Sequence, residues 1–137
     1  MNIAVLDDNA AILDYVETVL VMDSHTVSRH LSSQSLLDAI FAHVDATGQL
    51  PYDLVVLDLM LPGKLSGADV FIRLRKNFSE TQLPLVIITA VSNATLEQFR
   101  QILPDDVALL RKPFSPRALR QLIKQYEHPS GRLQLKM

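Results

Sequence analysis

The sequence predicts an α/β protein, a doubly wound parallel sheet made from five β–α repeats, (βα)5. Three observations predict it. Short apolar runs of strand length recur along the chain, each followed by a stretch with helical apolar spacing. Four of the five runs are near-continuously apolar, as strands covered by helices on both faces should be. Polar residues stand just past the end of those same four runs.

The first run is Ile3-Ala4-Val5-Leu6, with Asp7 and Asp8 behind it. Ile12, Leu13, Val16, Val19 and Leu20 then make one helical stripe, and Asn9 is placed to cap its start. The run from Thr26 to Leu31 alternates polar and apolar residues, which predicts an edge strand. A second stripe, Leu36, Leu37, Ile40, Phe41 and Val44, follows Ser33. Leu54-Val55-Val56-Leu57 leads to Asp58, and Val70, Phe71 and Leu74 mark a helix opening near Ser66 and Gly67. Leu85-Val86-Ile87-Ile88 leads to Thr89; a short fourth helix carries Leu96, Phe99, Ile102 and Leu103 until Pro104 stops it. Val107-Ala108-Leu109-Leu110 runs into Arg111, Lys112 and Pro113. The last helix begins at Ser115-Pro116, a cap followed by proline at the first helical position, and carries Leu119, Leu122, Ile123 and Tyr126. Periodicity stops at about His128. The expectation is one domain over residues 1–127 and a flexible tail over 128–137.

With 137 residues, a single domain with one substantial core is expected. A net charge of -2 offers no general attraction to nucleic acid or anionic membranes, and the absence of cysteine excludes disulfides and thiolate metal sites. The chain enters its first strand at once and has no apolar run long enough to span a bilayer, so a cytoplasmic protein is expected.

Right-handed crossovers and short loops leave few ways to wind such repeats, and the flavodoxin-like strand order 2-1-3-4-5 is the expected one. That order sets the first and third strands side by side at the switch point, where Asp7, Asp8 and Asp58 meet. Three close carboxylates repel one another unless a cation intervenes. Mg²⁺, or Mn²⁺ in its place, suits such a site because it needs only a few protein oxygens besides water and a phosphate oxygen. Asp58 can then act as nucleophile toward phosphorus. Lys112 and the metal would neutralise two equatorial oxygens, and the Thr89 hydroxyl would donate to the third.

Together Leu6-Asp7-Asp8, Leu57-Asp58-Leu59-Met60-Leu61-Pro62-Gly63, Thr89-Ala90 and Lys112-Pro113-Phe114 make the chain resemble a receiver domain of the two-component response-regulator family. The resemblance covers about residues 1–127. It implies Asp58 as phosphoacceptor, and Asp7, Asp8 and Asp58 with the Met60 carbonyl as metal ligands. It further implies that Lys112 contacts the phosphoryl group, that Thr89 reports its presence, and that the Lys112–Pro113 bond is often cis. The donor would be a phosphohistidine of a sensor kinase or phosphotransfer protein. The downstream protein target would bind the face of the fourth helix, fifth strand and fifth helix, with the domain a monomer or a phosphorylation-linked dimer and no direct contact to nucleic acid or membrane.

Some positions depart from the family. Leu109 stands where many receivers carry Tyr or Phe, and Pro104-Asp105-Asp106 where many carry Gly-Ala. Met60 and Val91 stand where relatives often place polar residues that help orient an attacking water, and the loop Gly63-Lys64-Leu65-Ser66-Gly67 is about one residue longer than usual. Asp105-Asp106 precedes its strand and is expected to be a solvated turn. His25, His30, His43 and His128 have no metal-ligand spacing and are expected at the surface or in loops. Two other readings stay open beside the switch. One is an interaction module independent of phosphorylation. The other is a small phosphatase of the haloacid-dehalogenase type, whose general-acid position would here be Met60.

Overall fold

The computed structural model describes residues 1–61 and 65–127, so the expected tail over 128–137, with His128, lies outside the described residues. The elements alternate: β1 (Asn2–Leu6), α1 (Ala10–Met22), β2 (Thr26–His30), α2 (Ser33–Thr47), β3 (Leu54–Asp58), α3 (Gly67–Asn77), β4 (Leu85–Thr89), α4 (Asn93–Glu97), β5 (Ala108–Arg111) and α5 (Pro116–Lys124). All neighbouring strands are parallel, in the order β2-β1-β3-β4-β5. The expected (βα)5 doubly wound sheet is therefore the observed one. Among the described residues no helix is long and apolar enough to cross a membrane.

The period-2 alternation of each strand feeds two separate cores. Leu6, Val55, Leu57 and Ile87 join Leu36, Ile40, Phe71 and Leu74 of α2 and α3 on one face. Ile3, Val5, Val56 and Ile88 join Leu13, Val16, Leu119 and Ile123 of α1 and α5 on the other. Residues of β3 and β4 are buried throughout.

Helix starts follow the caps in the sequence. Asn9 accepts from the Ala11 N–H, Ser115 from Ala118, and Ser66 closes a reciprocal capping box with Asp69. The cap of α2 is Ser32; Ser33 sits inside the helix, buried, and donates to the Leu65 carbonyl.

Four expectations are corrected. β5 is only half-buried, because at the end of the sheet it has a neighbouring strand on one side alone among the described residues. The fourth helix ends at Glu97. The Phe99, Arg100 and Ile102 amides bond three residues back, tightening the chain into successive turns that carry Phe99 to Leu103. His30 is buried between β2 and α2, with Ser35 Oγ 2.8 Å from Nδ1 and the Tyr52 hydroxyl 3.1 Å from Nε2. His25 is buried too, with the chain's first amine 3.0 Å from Nδ1 and Glu127 Oε1 2.8 Å from Nε2. Edge position and helix cover, which the histidine spacing does not encode, account for the last two. His43 is exposed as expected.

Candidate functional site

Because β1 and β3 are neighbours and end at the same edge, Asp7 and Asp8 emerge beside Asp58. Oxygens of the three carboxylates lie within 4.8 Å of one another. Asp7 and Asp58 are buried and Asp8 is exposed, so the cluster opens to solvent on one side. From beyond β5, Lys112 reaches over β4 and donates through Nζ to Asp7 Oδ2 at 2.6 Å and to Asp58 Oδ2 at 3.2 Å. Backbone amides complete the cradle: Asn9 N–H donates to Asp7 Oδ1 at 2.9 Å, and Met60 N–H to Asp58 Oδ1 at 3.3 Å.

The scaffold behind these side chains is fixed by backbone bonds. Leu59 N–H donates to the Ile88 carbonyl at 3.1 Å, and Gly67 N–H to the Leu59 carbonyl at 3.1 Å, which docks the start of α3 directly behind Asp58. Only glycine permits that approach, since a Cβ on residue 67 would lie 2.8 Å from both the Asp58 carbonyl carbon and Leu59 Cα. Lys112 N–H donates to the Thr89 carbonyl at 2.8 Å, and the Lys112–Pro113 peptide is cis.

Burial pushes the Asp58 carboxyl above its ordinary pKa; the Lys112 charge opposes this and the neighbouring Asp7 charge adds to it. For Lys112, burial works against the charge, but the Asp7 hydrogen bond and the fields of Asp58 and Asp7 outweigh it and raise its pKa. Three carboxylates against one ammonium leave an excess of negative charge in a half-enclosed site of hard oxygen donors. That donor chemistry fits Mg²⁺ or Mn²⁺.

Of the expected residues, Asp7, Asp8, Asp58 and Lys112 are brought together. Met60 lies two residues past the end of β3, its side chain half exposed. Thr89 ends β4, fully buried, and its Oγ1 accepts from Val91 N–H at 3.1 Å, so its hydroxyl is engaged with its own loop. The long loop before α3 falls partly on residues 62–64, outside the described residues. One participant was not anticipated. Arg111 donates through Nη1 to the Val91 carbonyl at 2.8 Å and through Nη2 to Asn93 Oδ1, tying the loop after Thr89 to the end of β5. The available signal was a guanidinium directly before Lys112 on a strand end. Beside Leu109, between β5 and the turns after α4, lies a cavity of about 170 Å³ lined also by Leu96, Phe99, Leu103 and Val107.

The arrangement has clear relatives. Response regulator ArlR of Staphylococcus haemolyticus is 32% identical over 92 residues, 67% of this chain and 37% of that protein. The uncharacterized transcriptional regulatory protein YkoG of Bacillus subtilis is 34% identical over 90 residues, 65% of this chain and 35% of its own length. The chain thus spans little more than a third of these relatives. Among solved structures, a response regulator receiver domain protein from Clostridium thermocellum superposes with a TM-score of 0.75 at 25% identity, covering 99% of this chain and 98% of that one. A CheY-like receiver domain protein from Methanospirillum hungatei gives 0.74 at 20% identity, covering 96% and 97%. The family model of the response regulator receiver domain matches residues 3–124, and the chain belongs to that family.

Proposed function

We propose that this chain is a phosphorylation-dependent signalling switch that takes a phosphoryl group onto Asp58. The observation that carries the reading is the Lys112 ammonium held between Asp7 and Asp58 at the switch-point edge, beside a third carboxylate. An Asp58 carboxylate oxygen attacks the phosphorus of a phosphohistidine on a kinase or phosphotransfer protein. The P–O bond forms as the P–N bond breaks, and the departing imidazole nitrogen keeps the bonding pair and takes a proton from solvent. Lys112 neutralises charge developing on the phosphoryl oxygens, and the Met60 N–H steadies the Asp58 carboxylate. Asp7, Asp8 and Asp58, with the Met60 carbonyl, would hold Mg²⁺, which supplies further charge neutralisation when bound. Thr89 would turn its hydroxyl to the phosphoryl group and carry its presence into the loop before α4. The target protein would read the α4–β5–α5 face, in the cytoplasm, and the chain acts on itself rather than as a dedicated enzyme.

The test incubates the full chain with Mg²⁺ and acetyl phosphate and follows intact mass, with Asp58→Asn alongside. One added phosphoryl group that requires Mg²⁺ and vanishes in the variant is expected. No added mass, together with no Mg²⁺ binding, would sink the assignment in favour of an interaction module independent of phosphorylation.

A further inference from the structure

Arg111 stands opposite Thr89 in the register of β4 and β5. Strand alternation sets both on the side of the sheet lined by Leu85, Ile87 and Leu109. Asp58 follows Leu54 and Val56 on the opposite side. A Thr89 hydroxyl that bonds a phosphoryl group on Asp58 therefore has to reach across the strand ends. In the structure it is turned into its own loop, where Oγ1 accepts from the Val91 N–H at 3.1 Å. Arg111 holds the same residue from the other side. Its Nη1 donates to the Val91 carbonyl at 2.8 Å, and its Nη2 donates to Asn93 Oδ1, one residue past the Ser92 cap of α4. Both acceptors are neutral groups, so a full positive charge at the end of β5 is committed to fixing Val91 and Asn93. Other anchors are few: α4 runs for five residues and fully buries none of them.

Two routes free the hydroxyl. Either Thr89 turns alone and the Val91 N–H loses its acceptor, or Val91 follows it and leaves the guanidinium. We infer that Arg111 is a positioning residue that restrains Thr89, holding Val91 where it keeps the hydroxyl off the phosphorylation site. The inference rests on Asp58 taking the phosphoryl group and deepens that reading, since it names what opposes the turn of Thr89. With the guanidinium in place both routes break a bond; with the grip loosened, Val91 moves with Thr89 and the second route becomes cheap. The restraint also depends on the shape of the cation. The guanidinium offers its two nitrogens as a fixed fork, one to each acceptor. A lysine ammonium in its place keeps the charge but is shorter and has no such fork.

The test follows mass gain of the full chain with Mg²⁺ and acetyl phosphate in the parent, Arg111→Lys and Asn93→Ala. Both substitutions leave the net charge at -2, so attraction of the anionic donor is unchanged. Each should speed phosphorylation about threefold to tenfold, the weight of one lost hydrogen bond. The gain should vanish in a Thr89→Ala background, which has no hydroxyl to restrain, and persist in Thr89→Ser, which keeps one. Hydrogen exchange of the unphosphorylated chain gives a second reading: the Val91 amide should exchange about threefold to tenfold faster in both variants. Rates no faster than the parent's, a gain that survives Thr89→Ala, or unchanged exchange at Val91 would each overturn the restraint while leaving the switch standing. A parent that takes up no phosphoryl group would sink the switch itself, and the restraint with it, whatever the exchange shows.

Discussion

Gly67→Ala tests whether the position of Asp58 depends on the backbone contact behind it. The added methyl would overlap the Asp58 carbonyl oxygen and sit 2.8 Å from the Asp58 carbonyl carbon and from Leu59 Cα. Carbon atoms pack at about 3.5–4 Å, so strand and helix must part by about 1 Å. All three obstructing atoms are backbone, leaving no side chain to give way, and the bond from Gly67 N–H to the Leu59 carbonyl resists the separation. Overpacking costs about 1–3 kcal/mol, and a rigid backbone clash belongs at the top of that range. A shift of about 1 Å in a reacting group costs about 10²-fold in rate. Urea unfolding and the rate of mass gain with acetyl phosphate and Mg²⁺ measure the two effects separately. Gly48→Ala is the control. Gly48 caps α2 at φ 72° with nothing within 4 Å of an added Cβ, so it should lose about 1 kcal/mol and no phosphorylation rate. Parent-like stability and rate in Gly67→Ala, or equal rate losses in the two variants, would refute the reasoning.

Asp58→Asn should abolish phosphorylation and raise stability at neutral pH. A folded-state pKa above the unfolded value means the native carboxyl binds more protons, so parent stability falls as pH rises through the ordinary carboxylate range towards the folded value. The variant's advantage in urea unfolding should therefore vanish in acid; an equal advantage at all pH values would contradict the shift. Lys112→Met leaves Asp7 and Asp58 buried without their cation, at a cost of about 3 kcal/mol at pH 7 and about 10²-fold in phosphorylation rate, read by the same two assays. With Met60 and Val91 offering no polar group to an attacking water, aspartyl phosphate in Mg²⁺ buffer should decay over minutes or longer, and decay within seconds would count against that account.

The sequence made the central strands and the site legible for a common reason. Strands buried on both faces must be apolar throughout, so Leu54–Leu57 and Leu85–Ile88 announce themselves, and residues at their ends are placed by topology alone. Caps such as Asn9, Ser66 and Ser115 are legible because the bond they make is local. What escaped depends on distant neighbours. His25 and His30 become buried through partners 102 and 22 residues away, Glu127 and Tyr52. The end of α4 was misplaced because the apolar spacing of Phe99 to Leu103 suits tight turns against β5 as well as it suits a helix. The engaged state of Thr89, bonded to Val91, is a backbone detail that no residue pattern encodes.

Two of the family departures, Leu109 and the Pro104-Asp105-Asp106 turn, fall around β5, and physical constraint explains why the core of the site departs less. Asp7, Asp58 and Lys112 must hold oxygens and an ammonium within a few ångströms, so each atom is bound by at least one neighbour and few substitutions are tolerated. Leu109, the short α4 and the Pro104-Asp105-Asp106 turn gather around β5, where packing is only half-buried and a changed side chain disturbs fewer neighbours. Arg111 joins the two regimes, since it neighbours Lys112 in the chain and holds the carbonyl of Val91, whose amide is bonded to Thr89. Thr89, Val91 and Arg111 thus form one continuous run of hydrogen bonds from the site to the end of β5. That connection runs through backbone atoms and a guanidinium and involves no side chain at position 109.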